Sequence, residues 1–159
     1  MLKEKFKLFM RSVPQSVFIS IAKSIDNEFA GLTISSFESI SIKPIITLIS
    51  IDKLSESLNV FKKSIGWTVS LLNEEQEDIS NFFSNRNISQ EERFSREYPI
   101  SKFLKIPYIE DCIGYIECIY YKHLSMGDHV IFFGKVVNVE ILNEKKPIVY
   151  YNRSYRKLL

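Results

Sequence analysis

Apolar positions along this chain change period several times, and each change predicts an element. Leu2, Phe6, Phe9, Met10 and Val13 recur at helical spacing before Pro14, which predicts a short amphipathic helix over residues 3–12. From Val17 to Ile21 apolar residues alternate with a mixed face, and Ile45 to Ile51 forms a β-branched run after Pro44; both read as strands. Ser55 is placed to cap a helix whose apolar face is Leu58 and Phe61. Its end carries Lys62 and Lys63, cations that complement the helix dipole. Trp67, Val69 and Leu71 predict another strand. Asn73, followed by Glu74, Glu75 and Gln76, signals the start of a further helix with Ile79, Phe82 and Phe83 as its buried stripe.

Residues 84–107 are polar and bounded by Pro99 and Pro107, so they read as an extended surface connection. Two long strand-like segments follow, Ile113 to Leu124 and His129 to Ile141. The short link between them, Ser125-Met126-Gly127-Asp128, predicts an antiparallel hairpin. Lys145, Lys146 and Pro147 then turn the chain into a last short strand, Ile148 to Tyr151. No repeat or linker divides the chain, so residues 1–159 are expected to form a single domain. Tightly connected strands with two or three short helices predict a mainly β fold, a closed or partly closed antiparallel barrel.

Composition adds a core and removes several classes. Of 159 residues 45% are hydrophobic, with twelve Phe and eight Tyr, enough to bury a sizeable interior and to exclude intrinsic disorder. Twenty-one Lys and Arg against nineteen Asp and Glu leave a net charge of +2, so no strong field for nucleic acid is expected. The N-terminus interleaves Lys3, Lys5 and Lys7 with its apolar residues, unlike a signal peptide, and no apolar run approaches the roughly 20 residues of a membrane span. A soluble cytoplasmic protein is the expectation. Cys112 and Cys118 are too few for a disulfide scaffold; on one strand, at ~3.3 Å per residue, they stand about 20 Å apart, beyond bridging reach. They read as reduced core thiols.

Three segments could carry chemistry. Gly31-Leu32-Thr33-Ile34-Ser35-Ser36-Phe37, continuing to Ser39 and Ser41, sets hydroxyls and backbone N–H groups beside a glycine, a pattern able to hold a phosphate. By composition it reads more simply as a polar loop or an exposed strand face. Ser50-Ile51-Asp52-Lys53-Leu54-Ser55-Glu56-Ser57 runs from a strand end into a helix start, where orphan N–H groups favour an anion; taken alone, Ser55 and Ser57 are better read as caps. Gly127-Asp128-His129 sits at the predicted hairpin, with Gly134 five residues beyond His129. No nucleophile or second base accompanies His129, and His123 lacks the carboxylates of a metal site, so no metal is expected.

In combination these pieces are far more specific. With Phe9-Met10-Arg11-Ser12-Val13-Pro14, the Pro44-to-Ser50 strand, Trp67 to Leu72, Gln76, Phe82, Arg93-Phe94, Glu117-Cys118 and Tyr150 to Leu158, the chain resembles the flavin reductases of the FMN-binding split-barrel fold. These are the reductase components of two-component flavin-dependent monooxygenases. The chain departs from the family pattern at Pro14-Gln15-Ser16-Val17, where Pro-x-Gly-Val is usual, and in the glycine-poor Ser24 to Glu28 segment; both affect turns.

The resemblance implies an antiparallel split β-barrel of Greek-key type, a homodimer, FMN or FAD as flavin, and NADH or NADPH as hydride donor. It implies that Thr33, Ile34, Ser35 and Ser36 line the flavin and that Ser50, Ile51, Asp52, Lys53, Ser55 and Ser57 wrap its ribityl phosphate, with Arg93 a further phosphate partner. His129 would position the nicotinamide, and Arg153 and Tyr155 would close the site. Hydride transfer between two cofactors needs no protein nucleophile, consistent with finding none. Two alternatives share the fold: a flavin-binding protein without activity, and a pyridoxamine-phosphate-oxidase-like enzyme. The second needs more basic residues, for which only the tail Arg153-Ser154-Tyr155-Arg156-Lys157 offers a cluster, and that tail reads more simply as a solvated terminus.

Overall fold

The structure is a computed structural model that describes residues 1–159. In chain order its elements are α1 (Leu2–Arg11), β1 (Gln15–Ser16), β2 (Phe18–Ser24), β3 (Phe29–Ile34), β4 (Phe37–Ile42), β5 (Ile45–Asp52) and α2 (Leu58–Lys62). They continue with β6 (Ser64–Leu71), α3 (Glu77–Ser84), α4 (Gln90–Arg93), β7 (Gly114–Met126), β8 (His129–Ile141), β9 (Ile148–Tyr151) and β10 (Ser154–Lys157). There are four helices where two or three were expected, because the 84–107 connection contains α4. No helix is long and apolar enough to cross a membrane.

Seven strands form one antiparallel sheet in the order β3-β2-β6-β7-β8-β5-β4. Its two edge strands, β3 and β4, are consecutive in the chain and separated only by Ser35 and Ser36. The three Cα–Cα steps from Ile34 to Phe37 span at most about 10 Å, so the sheet must curl until its edges come close. The hydrogen-bond ladder stays open along that seam. Ser36 stitches it from one side: its hydroxyl donates to the Ser50 carbonyl at 2.9 Å and accepts from the Ser50 N–H at 3.1 Å. β1, β9 and β10 form a small separate sheet.

Strand alternation divides the core into two layers. Inside the curl lie Ala22, Ile34, Ile49, Ile51, Trp67, Val69, Cys118, Val130 and Phe132, closed at one end by Leu58 and Phe61 of α2. Trp67 meets Phe132 edge-on at 6.1 Å. Gly134 serves this packing, since a Cβ there would stand 2.7 Å from Trp67 Cζ2. The second layer joins the outward side chains Ile19 and Ile21 of β2 to Phe83 of α3, Ile106, Ile109 and Ile148. β2 is buried on both faces, which is why Phe18-Ile19-Ser20-Ile21-Ala22 reads as an almost unbroken apolar run.

Several boundaries differ from the sequence expectation. α2 starts after Ser57, with no side-chain cap; Ser55 instead accepts the Ser57 N–H at 3.3 Å within a turn. Asn73 holds the Glu75 N–H at 2.8 Å, and α3 begins only at Glu77, because the turn and an isolated bridge to Pro147 occupy the residues between. The β7–β8 link is two residues, not four: Gly127 takes φ +57 at the first loop position, the arrangement of a type II′ turn. The tail forms strand β10, paired with β9, and its charged residues Arg153, Arg156 and Lys157 are exposed, as a solvated terminus requires.

Candidate functional site

The open seam creates the site. Where β3 gives way to β4 the wall carries Thr33, Ile34, Ser35 and Ser36, and a cleft lies on either side of it. The first, of about 510 Å3, is also lined by Ser50, Ile51, Asp52 and Ser55 from β5 and its exit, by Arg86 and Arg93 beyond α3, and by His129 from β8. Pairing of Asp52 with His129 in the β5–β8 ladder brings the second and third sequence candidates to the same rim. The second cleft, of about 470 Å3, lies between Thr33–Ser35 and the tail, with Tyr150, Arg153 and Tyr155 on its far side.

Hydrogen bonds show which of these groups are held and which are free. The Thr33 hydroxyl donates to the Ser80 carbonyl at 2.7 Å, and the Ser80 hydroxyl meets Tyr155 Oη at 2.6 Å. One residue of α3 thus ties the seam strand to the tail. Burial raises the Tyr155 pKa and the Ser80 hydrogen bond opposes that shift, so the phenol stays neutral and can donate. His129 Nδ1 lies 2.7 Å from Asp128 Oδ1, and this hydrogen bond holds the Asp128 carboxyl below its ordinary value. Asp52 accepts the Leu54 N–H at 2.8 Å and stands 3.8 Å from the exposed guanidinium of Arg86.

Three of the expected site residues are placed less directly than the others. Arg93 is buried, and its Nη1 and Nη2 donate to the carbonyls of Gly31 and Asn85 at 2.9 and 2.8 Å. Burial lowers its pKa, and only Nε lacks a partner. It braces the β3 edge, and the more exposed cation in this cleft is Arg86. Lys53 is exposed and outside both clefts, its backbone N–H donating to the Asp128 carbonyl at 2.9 Å. Ser57 is buried, with its hydroxyl 2.8 Å from that of Ser55.

Sequence reasoning missed Arg86, Gln90 and Ser80. Gln90 pairs both its amide groups with the backbone of Gly31, accepting its N–H at 2.9 Å and donating to its carbonyl at 3.2 Å, which covers the free edge of β3. Gly31 must be glycine here, because a Cβ would come within 2.6 Å of Phe83. Arg86 had a faint signal, as a cation directly after a helix end. Ser80 had none.

The clefts suit an aromatic ring with a polar tail. Leu32, Ile34 and Phe83 supply apolar wall, while Ser35, Ser50, Ser55 and Arg86 supply hydroxyl and cationic donors for an anionic end. The fit to a flavin is therefore good on donor chemistry.

Comparison with known proteins agrees. Over 161 residues the chain is 29% identical to the reductase component of 4-hydroxyphenylacetate 3-monooxygenase from Thermus thermophilus, covering 99% of this chain and 98% of that protein. It is 31% identical over 137 residues to the reductase component of flavin-dependent trigonelline monooxygenase from Acinetobacter baylyi, covering 86% of this chain and spanning 42% of that longer protein. Its structure is similar to that of the flavin reductase HpaC complexed with NADP+, with a TM-score of 0.86 and 28% identity over 98% of this chain and 97% of that one. The model of the flavin reductase like domain matches residues 10–159, and the chain belongs to that family.

Proposed function

We propose that the two clefts flanking Thr33–Ser35 are where this NAD(P)H-dependent flavin reductase brings FMN or FAD against NADH or NADPH, and that the reduced flavin passes to a partner monooxygenase. The observation that carries the reading is the assembly of the seam serines, the β5 exit and His129 around one cleft. When bound, the flavin accepts at N5 the hydride that the nicotinamide gives up from C4. The residues of the chain bind and orient. Leu32, Ile34 and Phe83 exclude water from a ring face; Ser50, Ser55 and Arg86 hold the anionic end; His129, steadied by Asp128, orients the carboxamide. No proton needs to pass through His129.

Residues 1–159 act as one domain in this reading, and the protein works in the cytoplasm, where reduced nicotinamides are supplied and buried thiols such as Cys112 and Cys118 stay reduced. A homodimer is supported by the apolar side chains that neighbouring strands β4, β5 and β8 expose, among them Ile40, Ile42, Ile45 and Val139. The test is an absorbance assay of purified protein with NADH or NADPH against FMN or FAD. Enzyme-dependent nicotinamide oxidation is expected with at least one pair; oxidation no faster than with free flavin would overturn the reading.

A further inference from the structure

A third cleft, of about 360 Å3, lies between α1 and the β9–β10 hairpin. It shares Tyr150 and Arg153 with the second cleft and Gln15 with the first, so it continues both. Its charged lining residues are Lys7, Arg11 and Arg153, all cationic, set among Phe6, Met10, Val13 and Tyr150. An apolar and aromatic surface whose charged lining is cationic, with Lys7 also paired to Glu4 at 3.2 Å, suits a flat base carrying phosphate. The two walls are tied together, since the Asn152 N–H at the hairpin tip donates to the Arg11 carbonyl at 3.0 Å.

The hairpin itself supplies a second, independent observation. Tyr151 pairs with Ser154, leaving a two-residue loop in which Asn152 and Arg153 both adopt positive φ, +47 and +64. That is the type I′ arrangement, in which glycine is the favoured second residue. Asn tolerates the left-handed region; Arg, with a Cβ and no local hydrogen bond to offer, is strained there. A long cationic side chain kept at a position made for glycine, where two clefts join, points to a role for that side chain.

We propose that the α1–hairpin cleft is the subsite for the adenosine phosphate end of a dinucleotide whose reactive ring lies at Thr33–Ser35, with Arg153 the phosphate-contacting residue at the junction. The proposal rests on the reading of the Thr33–Ser35 clefts as the place of hydride transfer. NADH and FAD both carry such an adenylate, and NMNH and FMN are the same reactive rings without it.

Steady-state kinetics of the full chain with each of these compounds tests the idea in wild type, Arg153→Gly and Lys7→Glu. In both variants the KM increase relative to wild type is expected to be about tenfold larger for NADH than for NMNH if the adenylate is that of the nicotinamide, or for FAD than for FMN if it is that of the flavin. Arg153→Gly is also expected to melt no lower than wild type, because glycine relieves the strained turn. Equal KM changes with and without the adenylate would overturn the subsite while leaving flavin reduction intact. Failure of the wild type to oxidise either NADH or NADPH with either FMN or FAD would instead overturn the underlying reading.

Discussion

Arg93 and Gly31, 62 residues apart in the chain, are joined by a 2.9 Å hydrogen bond from the guanidinium Nη1 to the glycine carbonyl. The same guanidinium reaches the Asn85 carbonyl at 2.8 Å. Arg93 therefore fastens the 85–93 segment to the edge of the strand that carries Thr33 and Ser35. Arg93→Ala leaves the Asn85 carbonyl without its side-chain donor and the Gly31 carbonyl with Gln90 alone, and is expected to cost about 1–3 kcal/mol of stability, measured by chemical denaturation. Its effect on FMN binding is expected to match that on riboflavin, which lacks the phosphate. A loss confined to FMN would restore Arg93 as a phosphate ligand.

Arg86 is expected to show the opposite pattern. Its side chain is 80% exposed and its one ionic partner, Asp52, is 3.8 Å away, so Arg86→Ala should leave the melting temperature near that of wild type. FMN affinity should fall several-fold while riboflavin affinity holds, read by flavin fluorescence titration.

His129→Ala removes the imidazole at the cleft rim, and with it one ring-nitrogen hydrogen bond to a nicotinamide. The expected result is a roughly five- to tenfold higher KM for the nicotinamide, about the value of one hydrogen bond, with a smaller change for the flavin. Unchanged kinetics would remove His129 from the site.

Glu117 is fully buried and accepts hydrogen bonds from the Leu104 N–H at 2.8 Å, the Phe103 N–H at 3.1 Å and Asn138 Nδ2 at 2.9 Å. Burial alone would raise its pKa; the hydrogen bonds outweigh burial and hold it below its ordinary value near 4.5. Its ionised form thus stabilises the fold fully above that ordinary value, and the contribution disappears as pH falls through the lower native value. Glu117→Gln is expected to be less stable at pH 7 by about 1–3 kcal/mol and to lose less stability than wild type on acidification. Parallel pH profiles in denaturant titrations would contradict this assignment.

Both cysteines are buried, and burial pushes each thiol up to about 11. Because the thiolate is the reactive form, native protein at pH 8 is expected to resist iodoacetamide and to take up two labels once unfolded, as read by intact mass.

Elements with strong local signals were legible in the chain. The amphipathic spacing of Leu2, Phe6 and Phe9 yields α1, and the Gly127-Asp128 turn yields the β7–β8 hairpin, because periodicity and turn chemistry act over a few residues. The serine-rich segment was recognisable as a candidate but not as an edge. Its role depends on β3 and β4 lying at opposite ends of the sheet order, an arrangement that no local pattern records. The tail's strand was hidden for a similar reason: β10 is held by β9 and by the Tyr155–Ser80 hydrogen bond, whose partners are 75 residues apart.

The sequence by itself determined a near-neutral, aromatic-rich β protein and, through Gly31 to Phe37 and Gly127-Asp128-His129, the family resemblance and most of the wall of one cleft. Only the tertiary structure decided which side chains are free to act. Arg93 and Arg86 carry the same group seven positions apart. Desolvation and two carbonyls claim the first, while the second stays in solvent at the cleft mouth. That difference arises from where the 85–93 segment packs: Arg93 lies against the edge of β3 at Gly31, and Arg86 stands clear of it.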